Sequence, residues 1–330
     1  MGKGQTHMSE SIIGVDVGGT TIKIGFLSEN GDILAKCEIP TNKTNNGSAI
    51  LTDMWKTISD EMYHLDIKKD DIIGIGVGVP GFVNSEKGIV DEAVNIGWKN
   101  VKIRDELRSL SDLPVCVAND ANTAVLGENW LGAGNQAKNV LAITLGTGVG
   151  GGIIVNGELV NGENGTAGEI GHSTVKINGL PCNCGKKGCL ETIASATGIV
   201  KQAEVAINNN PSSELATYYN EHGDISAKDV FDMAKNGNKL CKEIIHYTMD
   251  ILGFSLANIA TVLNPSKILI GGGVSKAGDI LIEGLKDSFQ NYALPRTNDV
   301  CTIKLAELGN DAGMTGAAFL VKQQIRHVVF

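Results

Sequence analysis

Proline is scarce in this chain, seven in 330 residues, and aromatic side chains make up only 5%. No glycine tripeptide repeats, which excludes a collagen-like rod. No apolar run approaches the ~20 residues that a membrane helix needs, and no secretory signal opens the chain. A basic block is missing as well: Lys and Arg number 28 against 37 Asp and Glu, a net charge of −9, so nucleic acid is not an expected partner. What remains is a globular balance, 42% apolar and 20% charged, which excludes a disordered chain. The length passes the ~250–300 residues at which single cores stop growing, so one large domain or two medium ones are expected.

Glycine is abundant instead, with 42 residues, many of them in turns flanked by strand-like sequence, as phosphate-binding folds require. The seven cysteines are unevenly placed: Cys182, Cys184 and Cys189 sit together, and Cys37, Cys116, Cys241 and Cys301 are scattered. In a cytosolic protein, as the lack of an export signal leads one to expect, such a cluster favours a metal over disulfides.

Residues 1–8 read as a leader outside the fold, with Met8 as the natural start. Strands are predicted over 12–17, 20–27 and 33–39, the first two joined at Gly18-Gly19 and the last entered through Asn30-Gly31-Asp32. A helix follows over 49–65, with Ile50, Met54, Ile58 and Met62 on one face, then a buried strand over 72–79 ending at Pro80-Gly81. Further strands are expected over 115–118, 140–145, 153–155 and 267–270, and helices over 121–131, 191–207, 239–263 and 311–326. Residues 161–188 read as an extended loop and 208–224 as a polar, mobile stretch. The strand–turn–strand around Gly18-Gly19 recurs around Gly146-Thr147-Gly148, which predicts two related lobes with a cleft between them.

Three constellations carry chemistry. The first is the pair of Gly-rich turns. Asp16-x-Gly18-Gly19-Thr20-Thr21-x-Lys23 and Gly146-Thr147-Gly148 offer backbone N–H groups and hydroxyls to a phosphate, and Asp16 is suited to orient a hydrated Mg²⁺. Neither matches the P-loop pattern or the dinucleotide fingerprint. One such turn alone would be a tight hairpin, but two at matching places, with Gly271-Gly272-Gly273 after a third strand, favour nucleotide binding. The second is Asn119-Asp120, where a strand meets a helix. Asp120 is either the helix N-cap or the carboxylate that takes a substrate hydroxyl's proton in phosphoryl transfer, with the Asn119 amide fixing a second hydroxyl. The third is His172 with Cys182, Cys184 and Cys189, a closed Cys₃His set for structural zinc rather than three buried apolar thiols. Clamping that loop would hold Glu169 and Glu191 near one point, where two carboxylates suit a neutral polyol. Their plain alternatives are a solvated loop residue and a first-turn helix charge.

The residues Asp16 to Thr20, Pro80-Gly81, Asn119 to Asn122, Leu145 to Gly148, Gly168 to His172, Cys182 to Glu191 and Gly271 to Gly273 resemble, in this order, the ROK family of sugar kinases and repressors. The resemblance covers nearly the whole chain from Ile12 onward, and the cysteine motif is its most specific part. Within the family, the 169–172 and 191–198 runs look like bacterial glucokinases. It implies an α/β, two-lobed, actin/hexokinase-like (ribonuclease H-like) fold. The lobes would be residues 9–119 with 309–330, and residues 120–308 carrying the zinc loop. It further implies phosphorylation of glucose at its 6-hydroxyl by ATP with Mg²⁺, in a cytoplasmic homodimer. Asp120 would be the general base, and Gly81, Asn119, Glu169, His172 and Glu191 would join it as sugar ligands, His172 also holding zinc. Asp16, Gly18, Gly19, Thr20, Thr147 and Gly148 would line the phosphate site. The loop Asn161 to Gly165 departs from many relatives in length and acidity, in a region that shapes sugar preference.

Other readings differ in class. A sugar-responsive repressor needs a helix-turn-helix, for which no room is expected before the first strand. An N-acetylhexosamine kinase would use the same Asp120 and zinc loop. A zinc-stabilised nucleotide-binding scaffold without turnover would not need Asp120.

Overall fold

The computed structural model describes residues 10–326, so the leader expected over residues 1–8 lies outside the described residues. The chain divides into two units. One takes the residues up to 136, the short segment 161–167 and those from 310 onward; the other takes 137–160 and 168–309.

The first unit runs β1 (Ser11–Val17), β2 (Thr21–Ser28), β3 (Ile33–Pro40), α1 (Thr44–Gly47), α2 (Ile50–His64), β4 (Ile72–Val79), β5 (Phe82–Asn84), β6 (Ile89–Ala93), β7 (Trp98–Val101), α3 (Ile103–Ser111), β8 (Val115–Asn119) and α4 (Asp120–Leu131). Its main sheet has the order β3-β2-β1-β4-β8, and β5-β6-β7 make a smaller one. The apolar stripe of α2 buries Ile50, Met54, Ile58 and Met62 in the core that also holds Ile13, Val15 and Val77 of the sheet. This burial, rather than intrinsic propensity, holds a helix of this length in place.

The second unit continues with β9 (Val140–Leu145), β10 (Val149–Val155), β11 (Glu158–Leu159), α5 (Glu191–Ala194), α6 (Ala196–Asn209), α7 (Glu214–His222), α8 (Ala227–Lys235), α9 (Lys239–Leu263), β12 (Lys267–Gly271), α10 (Asp279–Tyr292), α11 (Pro295–Val300) and β13 (Thr302–Leu305). Its sheet has the order β11-β10-β9-β12-β13. In each unit three consecutive antiparallel strands are followed by two parallel ones, β1 to β4 and β4 to β8 in the first, β9 to β12 and β12 to β13 in the second. The internal echo in the sequence is therefore a repeat of topology.

The last helix, α12 (Ala312–Arg326), returns to the first unit and lies against β1, β4 and α4. Glycine permits the approach. A Cβ on Gly14 would overlap the Met314 carbonyl, one on Gly76 the Ala317 carbonyl, and one on Gly316 the Thr123 carbonyl. Part of the glycine excess thus serves packing and not phosphate turns.

Three expectations are corrected. The helix expected over 191–207 is two, because Ser195 is extended (ψ 164°) and its side chain accepts the Gly198 N–H as the N-cap of α6. The stretch 208–224, expected to be mobile, contains α7, started by the Ser213 cap and ended at Gly223 with φ of +82°. Residues 82–114, to which the sequence reading gave no elements, form β5, β6, β7 and α3. No helix among the described residues is long and apolar enough to cross a membrane.

Candidate functional site

The β1–β2 turn of the first unit is held by its own sheet. Gly18 N–H donates to the Thr21 carbonyl (3.0 Å), Thr41 Oγ1 to the Gly18 carbonyl (2.7 Å) and Thr41 N–H to the Thr20 carbonyl (2.9 Å). Asp16 stands opposite Lys23 in the β1–β2 register. Burial pushes the Asp16 carboxyl up, and the Lys23 charge pulls it partly back. A Cβ on Gly313 would press on the same carboxyl group, so glycine at the start of α12 leaves it room. A cation at Asp16 would offset that desolvation, so the residue fits the hydrated Mg²⁺ expected of it.

At the end of β8, Asn119 is extended (φ −64°, ψ 149°), and its Oδ1 accepts from Ala121 N–H (2.8 Å) and Asn122 N–H (3.3 Å). Asn119 is therefore the N-cap of α4, and the capping role considered for Asp120 is corrected. Asp120 occupies the first helical position, half-buried, with Oδ1 accepting from Ala121 N–H at 2.9 Å. The other end of the Asn119 amide donates to the Gly81 carbonyl at 3.0 Å. The structure thus brings Gly81, Asn119 and Asp120 together at the carboxyl end of a parallel strand, where open α/β sheets place their ligands.

In the second unit, the 161–188 loop from residue 168 onward carries short-range structure that builds the metal set. Cys182 N–H donates to the Lys186 carbonyl (2.8 Å) and Gly185 N–H to the Cys182 carbonyl (3.0 Å), a tight turn that Gly185 completes with φ of +87°. Thr174 pairs with Cys189 and Pro181 with Lys187. The ligand atoms of His172, Cys182, Cys184 and Cys189 all lie within 4.8 Å of one another. Cys184 Sγ and Cys189 Sγ are 3.6 Å apart, as are Cys182 Sγ and His172 Nδ1. Tetrahedral zinc with Zn–S of ~2.3 Å and Zn–N of ~2.05 Å requires edges of about 3.8 and about 3.6 Å, so the donor set fits that ion. Burial pushes the Cys189 thiol up to about 12, while the Lys186 backbone N–H draws the exposed Cys184 down. A cation would hold all three as thiolates.

His172 turns its other nitrogen, Nε2, toward Glu169, 3.8 Å from Oε2. Glu191 has neighbours on both oxygens. Oε1 lies 3.7 Å from Cys182 Sγ, and Oε2 accepts the Val149 N–H at 3.0 Å. The β9–β10 turn, residues 146–148, is pinned again by Ala196 N–H donating to the Gly146 carbonyl (2.8 Å) and by Thr197 Oγ1 donating to the Thr147 carbonyl (2.9 Å).

A cavity of about 500 Å³ opens beside this turn, lined by Gly146, Thr147, Ser226, Phe231, Lys235 and Val274 among others. Its size suits a small-molecule ligand. Positions 146 and 273 have nothing within 4 Å of where a Cβ would stand, so a ligand can approach the bare backbone. Gly273 lines the cavity too, while Gly272 (φ +85°) turns the chain against Leu145. Sequence reasoning missed the α8 side of the cavity. The signal was present in Ser226 and Asp229, whose reciprocal capping box starts α8.

The predicted residues fall into two groups. Asp16, Gly18, Gly19, Thr20, Thr21, Lys23, Gly81, Asn119 and Asp120 belong to the first unit. Gly146 to Gly148, Glu169, His172, the three clustered cysteines, Glu191 and Gly271 to Gly273 belong to the second.

A chain with two repeats of this sheet, a closed Cys₃His set and a Gly-lined cavity is a ROK protein by fold, and its sequence agrees: the chain belongs to the ROK family, whose model matches residues 12–324. It is 51% identical over 313 residues to a glucokinase of Halalkalibacterium halodurans, covering 94% of this chain and 95% of that protein. A glucokinase of Thermotoga maritima is 36% identical over 316 residues, covering 95% and 98%. Among solved structures, a ROK family glucokinase from Streptomyces griseus in complex with glucose and AMPPNP matches with a TM-score of 0.77 at 33% identity, covering 95% of this chain and 99% of that one.

Proposed function

We propose that this protein is an ATP-dependent glucokinase that transfers the γ-phosphoryl group to the 6-hydroxyl of glucose. The observation that carries the mechanism is the division of roles at the β8–α4 junction. Asn119 supplies the helix cap, and Asp120 supplies the carboxylate. As the 6-oxygen attacks the γ-phosphorus, its proton passes to Asp120, the bond to the β-phosphate oxygen breaks, and ADP leaves. Gly81, Asn119, Glu169, His172 and Glu191 hold the sugar hydroxyls, and the turn Gly18 to Thr21 with Lys23 and the Gly146 to Gly148 turn receive the phosphates. Gly271 to Gly273 close the nucleotide side.

Asp16 would hold hydrated Mg²⁺, which supplies charge neutralisation at the phosphates. His172 Nδ1 and the sulfurs of Cys182, Cys184 and Cys189 would hold zinc, whose four protein ligands leave no open position, so its contribution is to fix the loop between Glu169 and Glu191. The protein is read as a cytoplasmic homodimer, as family members commonly are.

A coupled ADP-release screen over glucose, mannose, fructose, N-acetylglucosamine and N-acetylmannosamine tests the substrate. Release is expected with glucose. Background rates with glucose alongside strong release with an N-acetylhexosamine would move the assignment to that class of kinase.

A further inference from the structure

Glu191 is accounted for above as a sugar ligand, yet its carboxylate makes contacts that a sugar ligand does not need. Oε2 accepts the Val149 backbone N–H at 3.0 Å, and a Cβ on the neighbouring Gly148 would overlap that same oxygen. The hairpin it grips contributes Gly146 and Thr147 to the wall of the 500 Å³ cavity, but Glu191 itself does not line that wall. The side chain starts α5, directly after the cysteine loop, and Oε1 stays 3.7 Å from Cys182 Sγ.

We propose that Glu191 is also a positioning residue for the nucleotide hairpin: its carboxylate fixes the Gly148-Val149 backbone, so nucleotide affinity depends on a side chain outside the nucleotide cavity. The inference rests on the reading of residues 146–149 as the nucleotide hairpin. Without Oε2, the Val149 N–H loses its acceptor, and beside its own Gly146 N–H to Gly148 carbonyl bond (2.9 Å) the hairpin keeps two outside tethers, at Gly146 and Thr147, both from the start of α6. Glycines in the turn then allow the backbone that faces the cavity to wander, and binding must order it first. Because a coupling between two ligands is reciprocal, a sugar that engages the same carboxylate will change nucleotide affinity by the factor by which nucleotide changes sugar affinity.

The test is calorimetric binding of a non-hydrolysable ATP analogue with Mg²⁺ and no sugar present, on the full chain. Glu191→Ala and Glu191→Asp, the latter too short to reach Val149, are expected to weaken nucleotide binding about tenfold, the scale of a backbone donor left without its acceptor. Glu191→Gln keeps an oxygen acceptor at the same reach and should bind the nucleotide within about twofold of the parent. Exchange of the Val149 amide should accelerate in the Ala and Asp variants and not in the Gln variant. Nucleotide affinity unchanged in both Ala and Asp, or weakened in Gln as much as in Ala, overturns the proposal. The Asp variant retains the first-turn charge of α5 and covers the case in which the Ala variant does not fold. Failure of the parent protein to phosphorylate glucose would strike the functional reading and leave this sugar-free measurement standing.

Discussion

The two units repeat one strand plan, and the company each hairpin keeps differs. The β1–β2 turn is braced by Thr21 of its own sheet and by Thr41, the residue that follows β3. The β9–β10 turn has one internal bond, from Gly146 N–H to the Gly148 carbonyl, and is braced besides from outside its sheet, by Glu191, Ala196 and Thr197 at the starts of α5 and α6. The ends of the outer parallel strands differ as well. β8 runs into the Asn119 cap and Asp120, while β13 ends at Leu305 and the next N–H, that of Ala306, simply continues the ladder to the Ile270 carbonyl. A repeated topology thus supplies two similar frames, and polar residues added at the frame edges separate their tasks. The first frame presents a carboxylate; the second presents a turn held by Glu191, the residue that follows the cysteine loop.

The largest expected effect tests the edge of the first frame. Asp120→Asn keeps size and polarity but cannot take a proton, and general-base catalysis is typically worth ~10²–10⁴ in rate. Turnover should fall by about that factor. Because Asn119 caps α4 and Asn at position 120 can still accept the Ala121 N–H, the melting temperature should hardly move. Near-normal kcat in this variant would remove Asp120 from the chemistry.

The next effect concerns the outside bracing of the second frame. The parent protein is expected to carry one zinc per chain by elemental analysis. Cys184→Ser removes one of four ligands, and perturbing even the groups around a metal's ligands costs ~10–100-fold in metal affinity. Zinc should drop below one per chain, with a raised KM for glucose, because the loop between Glu169 and Glu191 is no longer clamped. Full glucose affinity in a zinc-free, folded sample would sever the sugar site from the metal.

Much of this was legible in the sequence because local chemistry dictates it. The stripe Ile50, Met54, Ile58 and Met62 marks α2, and the 239–263 pattern coincides with α9. The ligand types and spacing of His172, Cys182, Cys184 and Cys189 announce a cluster that the structure does bring within reach of one ion. What was not legible depends on partners distant in sequence or on caps hidden in polar stretches. Ser213 and Ser226 each start a helix in a polar stretch without hydropathy signal, and Ser195 divides what hydropathy reads as one helix over 191–207. The choice between Asn119 and Asp120 as cap turns on backbone angles that a list of capping propensities does not contain. The contact of Glu191 with Val149 spans 42 positions and leaves no local trace.

Glycine offers the finest probe of the difference between the frames, because the same residue serves opposite ends in each. Gly76, in β4 of the first frame, lies under α12, and a Cβ there would overlap the Ala317 carbonyl. Gly146, in the turn of the second, has nothing within 4 Å of the Cβ position and borders the cavity. Overpacking a core costs ~1–3 kcal/mol, and backbone contact leaves little room for relief. Gly76→Ala should therefore lower the melting temperature clearly, and kcat and nucleotide KM should stay near the parent values at temperatures where the variant is folded. Gly146→Ala should melt with the parent and raise the nucleotide KM several-fold, because the added methyl stands where a phosphate would approach the backbone. The pair is best read together by melting curves and steady-state kinetics in one buffer. If Gly146→Ala left nucleotide KM unchanged, the second turn would be a plain hairpin, and the cavity beside it would have to bind its ligand by other walls.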